Sequence, residues 1–128
     1  MRVDGSLRFP KQIRLTRRSD FQRVYKNGRR ARGSHFVVFF DQNHLAYSRF
    51  GMTVSKKLGS AVRRNRIRRI FREALRFHQR EAMPGFDFVF NPHPSAANLK
   101  CQALAEDVAR VLSQLKGKYD ASFGVKRS

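Results

Sequence analysis

Phe50-Gly51-Met52-Thr53-Val54-Ser55-Lys56-Lys57-Leu58-Gly59-Ser60-Ala61-Val62-Arg63-Arg64-Asn65-Arg66-Ile67-Arg68-Arg69-Ile70-Phe71-Arg72-Glu73 changes its hydrophobic period midway, and the change decides the fold. Up to Val54 the side chains alternate, with Phe50, Met52 and Val54 on one side and Tyr47, Arg49 and Thr53 on the other. That is the period of a strand, here expected over 45–54. Ser60 is a good helix N-cap, and after it Ile67, Ile70, Phe71 and Ala74 form a helical apolar stripe within an expected helix over 61–81.

Working outward, Phe36-Val37-Val38-Phe39-Phe40 is too short for an independent helix and apolar on both faces, so it predicts a strand covered twice. With the turn-prone Asp41-Gln42-Asn43-His44 it predicts an antiparallel hairpin with the segment over 45–54. A first helix is expected to begin after Thr16 or Ser19 and to end at Gly28, which tolerates a left-handed C′ conformation. Phe21, Val24 and Tyr25 share one of its faces. Downstream, Pro84-Gly85 closes the long helix, and 86–90 predicts a strand with Phe86, Phe88 and Phe90 opposed to Asp87 and Val89. Pro92 and Pro94 are expected to forbid further pairing. In the segment from Ser95 onward, Leu104, Val108, Val111, Leu112 and Leu115 mark a last amphipathic helix. The order is that of a small α+β sandwich, with a fourth strand expected either over 29–33 or from a division of the second strand segment.

The 128 residues fit one domain, 1–128, and 41% hydrophobic with 12% aromatic content can fill one core. The ordered body is expected over 9–115, with short basic tails at about 1–8 and 117–128. Lys and Arg number 28 against 9 Asp and Glu, a formal net charge of +19 that is costly in self-repulsion until a polyanion relieves it. Nucleic acid is the partner this implies. Cys101 is the sole cysteine, which excludes an intrachain disulfide and a thiol-rich metal site. No stretch approaches a membrane span or a signal peptide, and a cytoplasmic location is expected.

The charge is concentrated on the long helix. Arg64, Arg68, Arg72, Arg76 and Arg80 repeat at i,i+4, with Glu73 the only acid before Glu81. Each such like-charge pair costs about 0.2–0.5 kcal/mol. Arg63 and Arg64 also lie at the positive end of the helix dipole. Phosphates reverse the sign of both effects, and the planar guanidinium fork suits their oxygens. Asn65 is a poor helix former whose amide both donates and accepts, a property suited to phosphate, ribose or a base edge. Lys56 and Lys57 extend the basic patch into the preceding loop, and Arg63, Arg66, Arg69 and Arg76 belong to it by position. Phe21, Tyr25, Phe36 and Phe39 admit two roles: core aromatics, or a groove on which unpaired RNA bases stack.

Asp20-Phe21-Gln22-Arg23-Val24-Tyr25-Lys26-Asn27-Gly28, Val54-Ser55-Lys56-Lys57 and Ala61-Val62-Arg63-Arg64-Asn65-Arg66 at this spacing resemble the bacterial ribonuclease P protein family over most of the chain. The resemblance implies an α-β-β-β-α-β-α sandwich with a four-stranded sheet and a left-handed β-α-β crossover, a topology shared with a ribosomal-protein domain. It implies an RNA subunit as partner, the 5′ leader of precursor tRNA as ligand, and cleavage by the RNA subunit with its magnesium. It assigns no catalytic residue and no metal ligand to the protein. By the same resemblance Arg64, Asn65, Arg66, Arg68, Arg69 and Arg72 contact RNA, and Phe21, Tyr25 and Phe39 line the leader cleft. The chain departs from the family at Asn91-Pro92-His93-Pro94, where His93 replaces a usual arginine and is charged only at lower pH. Neither a membrane nor DNA is an expected partner. Competing readings are a structural ribosomal RNA-binding protein, a DNA-binding protein and a stand-alone nuclease.

Overall fold

A computed structural model of the chain describes residues 11–120. Three helices and four strands follow in the order α1 (Arg18–Asn27), β1 (Arg29–Arg32), β2 (Phe36–Gln42), β3 (Arg49–Met52), α2 (Ala61–His78), β4 (Phe86–Pro92) and α3 (Cys101–Leu115). The fourth strand expected over 29–33 is β1. The sheet order is β1-β2-β4-β3, with β2 antiparallel to β1 and β4, and β3 parallel to β4 through the α2 crossover. The expected α-β-β-β-α-β-α sandwich is the observed one.

The predicted hairpin is not. β4 lies between β2 and β3, so the two segments never pair. The reason lies in β4 itself: every residue over 86–90 is buried, Asp87 with its cations included, and a strand covered on both faces takes the centre of a sheet. The shorter β3, with Arg49 and Gly51, takes an edge. Only Arg49–Met52 of the 45–54 segment is strand. Its earlier residues form a loop held by the buried Ser48, whose hydroxyl donates to Met83 O at 2.6 Å and accepts from Phe86 N at 3.0 Å.

β4 also outruns the end expected at Phe90, because Pro92 fits where it stands. His93 N donates to His35 O at 2.9 Å, so residues 35 and 93 form a hydrogen-bonded pair and Phe36 and Pro92 do not. The proline nitrogen therefore points away from β2, past the end of β3.

Two helix ends differ from expectation. Neither Thr16 nor Ser19 caps α1; its N-cap is Arg17, without a side-chain bond. Leu15 N donates to Phe50 O at 2.8 Å, and this anchor on β3 sets where the helix can begin. Gly28 is extended (φ −84°, ψ 173°) rather than left-handed. A Cβ there would lie 2.5 Å from Val24 O and 2.6 Å from Phe40 O, so close backbone approach requires the glycine. Ser60 does cap α2, accepting from Arg63 N at 3.2 Å, and the helix continues as a 3-10 turn over Gln79–Glu81. A 3-10 turn over Pro94–Asn98 fills the segment after Ser95, and α3 starts only at Cys101.

One sheet face carries the main core under α2 and α3. There Phe50 stacks on Phe88 (5.3 Å between centroids, 9°), and Phe36 meets Phe71 and Phe90 edge-on at 5.7 and 5.2 Å. Leu104, Val108, Val111, Leu112 and Leu115 are buried, and beyond them Tyr119 packs on Phe40 at 5.4 Å. The other face is covered in part by α1 and the residues before it, where Leu15 and Val24 cluster with Val89 of β4, with Phe21 and Phe39 packed against them. Phe9 and the segments 1–8 and 121–128 lie outside the described residues.

Candidate nucleic-acid interface

α2 presents its arginines over more than half its circumference, because its apolar stripe is narrow. Ile67, Ile70, Phe71, Ala74 and Leu75 are buried, and successive residues turn by about 100°. Arg64, Arg68 and Arg72 leave on one flank. Arg64 Nε donates to Gly59 O at 3.1 Å, which places this flank beside the loop carrying the exposed Lys56 and Lys57. Arg63 and Arg66 leave on the opposite flank. Arg63 reaches Pro94 O at 3.3 Å, and Arg66 reaches Ala97 O at 2.8 Å and Leu99 O at 3.2 Å. Asn65 and Arg69 point outward between the flanks.

The helix thus answers part of its own charge crowding. Asn65 Oδ1 accepts from Arg68 Nη1 at 2.8 Å, which orients that guanidinium and leaves the amide NH2 free to donate. Arg76, only 12% exposed, pairs with Glu73 at 2.7 Å and lies 5.0 Å over the Phe77 ring, while its buried Nε has no partner. It is held against the helix. Arg69, Arg72 and Arg80 are exposed and make no hydrogen bond or ion pair with the described residues. Of the predicted basic set, Lys56, Lys57, Arg64, Arg68 and Arg72 come together on one flank with Asn65 and Arg69 beside it, and Arg63, Arg66 and Arg76 do not join them.

Phe21, Tyr25 and Phe39 gather on the opposite sheet face. α1 lies across the strands: Phe21 packs at Gly51 of β3, Val24 at Val89 of β4, and Gly28 against Phe40 of β2. Tyr25 meets Phe39 edge-on at 4.9 Å and 71°. Its Oη lies 2.7 Å from Thr53 Oγ1 and 2.8 Å from Asn91 Oδ1, so the phenol donates to the Asn91 carbonyl oxygen and accepts from Thr53. Phe21 and Phe39 are half-buried, and Tyr25 is 38% exposed, so this flank of α1 is an open aromatic groove. Phe36 is fully buried in the main core, which decides its role.

The other flank of α1 carries a polar network absent from the sequence expectation. Asp87 is fully buried and accepts from Arg49 (2.9 and 2.7 Å), Asn43 (2.9 Å) and Arg23, and Arg23 also bonds Asp41 at 2.8 Å. Burial pushes the Asp87 carboxyl upward, but the hydrogen bonds from Arg49, Asn43 and Arg23 outweigh it and hold it below the usual carboxylate range. An acid inside the Phe86–Phe90 run was the available signal, since a buried carboxylate requires cations. Thr53 and Asn91, which fix Tyr25, carried no comparable signal. His93 is half-buried beyond Asn91, its N–H on His35 O.

Comparison with known proteins adds the following. The family model described as Ribonuclease P matches residues 9–116. The chain is 39% identical over 100 residues to the ribonuclease P protein component of Pelotomaculum thermopropionicum, covering 78% of this chain and 89% of that one. It is 37% identical over 109 residues to that of Clostridioides difficile, covering 84% and 92%. The solved RNase P protein from Thermotoga maritima superposes with a TM-score of 0.72 at 32% identity, covering 79% of this chain and 96% of that one. That of Staphylococcus aureus gives 0.71 at 32%, covering 81% and 95%.

Proposed function

Because this chain belongs to the ribonuclease P protein family, as a protein component of that tRNA-processing endoribonuclease with an RNA subunit for its partner, we propose how its two surfaces divide the work. The Lys56–Lys57 loop and the Arg64, Arg68 and Arg72 flank of α2 dock on phosphates of the RNA subunit. The groove of Phe21, Tyr25 and Phe39 holds the 5′ leader of precursor tRNA in the cytoplasm. Cleavage belongs to the RNA subunit and its magnesium, and this chain binds and orients.

One observation carries the proposal: a partly exposed arginine flank and an open aromatic groove stand on opposite faces of one sheet. A single small domain can thereby touch two polyanions at once. The first surface supplies charge, and about six phosphate contacts give a log-log salt slope of roughly −4 to −5. The second supplies stacking, worth about 1–3 kcal/mol for each base. Asp87, Asp41, Asp107, Glu73 and Glu81 are each engaged by an arginine or a histidine, which makes these five poor candidates for a magnesium cage.

The test is reconstitution of precursor tRNA cleavage at low magnesium with a bacterial ribonuclease P RNA, with and without this chain. Faster turnover of leader-bearing substrate is expected with it, and no cleavage by the chain and magnesium alone. Failure to bind the RNA, or binding without a gain in turnover, overturns the proposal.

A further inference from the structure

We propose, building on the leader-binding reading above, that Arg30 and Arg32 of β1 extend the groove to the edge of the sheet and hold phosphates of leader nucleotides beyond those stacked on Tyr25 and Phe39. β1 is an outer strand, paired only with β2. Its register sets Arg30 opposite Phe39 and Arg32 opposite Val37, so both side chains leave the sheet on the groove face. Arg29 and Ala31 turn to the other face, where Arg29 lies 5.2 Å over the Tyr119 ring and Ala31 packs on the core.

Pairing also sets Arg32, Val37 and Asn91 side by side across the sheet, and Thr53, whose N–H donates to Phe90 O, completes the row. The row spans three strand spacings, about 14 Å. Tyr25 stands over its Asn91–Thr53 half through the two Oη hydrogen bonds. One end lies three residues before Lys56, beside the α2 flank, and the other end is Arg32. A strand of RNA crossing the sheet parallel to α1 therefore meets the aromatic rings and then a guanidinium pair.

Charge on an edge strand also discourages pairing between sheets of different molecules. That purpose is served equally by charge of either sign on either face. It leaves unexplained why both groove-facing residues of β1 are arginine, exposed, and without a hydrogen bond or ion pair to the described residues.

The experiment compares R30S/R32S with R29S in the holoenzyme reconstituted with a bacterial ribonuclease P RNA. Affinity is measured for precursor tRNA with a long leader and with one truncated to end at the Tyr25–Phe39 rings. R30S/R32S is expected to weaken long-leader binding about three- to ten-fold and to reduce its log-log salt slope by about 1.4, at roughly 0.7 per single-strand contact. Truncated-leader affinity should be unchanged, which also establishes that the variant is folded, and R29S, with one cation lost from the other face, should match the wild type. Unchanged long-leader binding, equal weakening for both leaders, or an equal loss in R29S overturns the assignment. If the wild type itself does not distinguish the two leaders, nothing beyond the rings is held and the β1 assignment falls; the leader-binding reading falls only if tRNA without a leader binds as tightly as the truncated precursor. If the wild type distinguishes them and R30S/R32S does so equally, only the β1 assignment falls.

Discussion

Tyr25 joins both halves of the groove, since its ring meets Phe39 while its hydroxyl spans Thr53 on the β3 side and Asn91 on β4. Tyr25→Phe keeps the ring and removes the tether. It is expected to lower stability by about 0.5–1.5 kcal/mol, toward the low end because the hydroxyl is partly solvated, as read by denaturant unfolding. Leader affinity should fall with it as the ring loses its fixed edge, whereas affinity for the RNA subunit should stay. The arginines of α2 predict a second contrast. Arg64→Ala with Arg68→Ala should weaken RNA-subunit binding and flatten the salt slope by about 1.4–1.8. Arg66→Ala should instead lower stability, by about 1–3 kcal/mol, because its guanidinium bonds the Ala97 and Leu99 carbonyls. Thermal unfolding and salt-dependent binding of both variants check the contrast. All of these arginines were legible as a basic helix. Their separate tasks were not, because the carbonyls that engage Arg63 and Arg66 come from a turn about thirty residues away.

α1, β4 and the α1–β1 junction show how elements place the site. α1 crosses the strands, with an ionic network on one flank and the groove on the other, so that flank is fixed while the groove side stays open. Gly28 sets how closely its C-terminal end approaches β2. Gly28→Ala should cost about 1–3 kcal/mol, since the new methyl meets two backbone oxygens that side-chain repacking cannot move. A urea midpoint unchanged from the wild type would contradict this. The first hairpin segment was readable as a short run apolar on both faces, the second from its alternation, and the long helix from its cap and stripe. The hairpin was misread because adjacency along the chain favours pairing, whereas β4, buried on both faces, competes for the central place and wins it.

Across the whole molecule the Asp87 network ties α1, β2, β3 and β4 together. Its sign with pH follows from the depressed carboxyl: a group whose folded pKa lies below the unfolded value of about 3.9 contributes fully above that value and loses its contribution as pH falls through the folded pKa. Stability measured by denaturant at a series of pH values should decline in acid for the wild type and decline less steeply for Asp87→Asn. At neutral pH that variant should cost about 3 kcal/mol, the lower end for a broken buried pair, because Arg23 and Arg49 keep 29% and 22% side-chain exposure. The affinity for nucleic acid, the α+β class, the arginine helix and three strands were readable from residue order alone, because charge, local period and capping are properties of short stretches. Strand order, the pairing of Asp87 with Arg23 and Arg49, the division of α2 into two flanks, and the groove face shared by Tyr25, Phe39, Arg30 and Arg32 were decided only in three dimensions. Each depends on contacts between residues far apart in the chain, chosen by competition for the buried centre of one sheet.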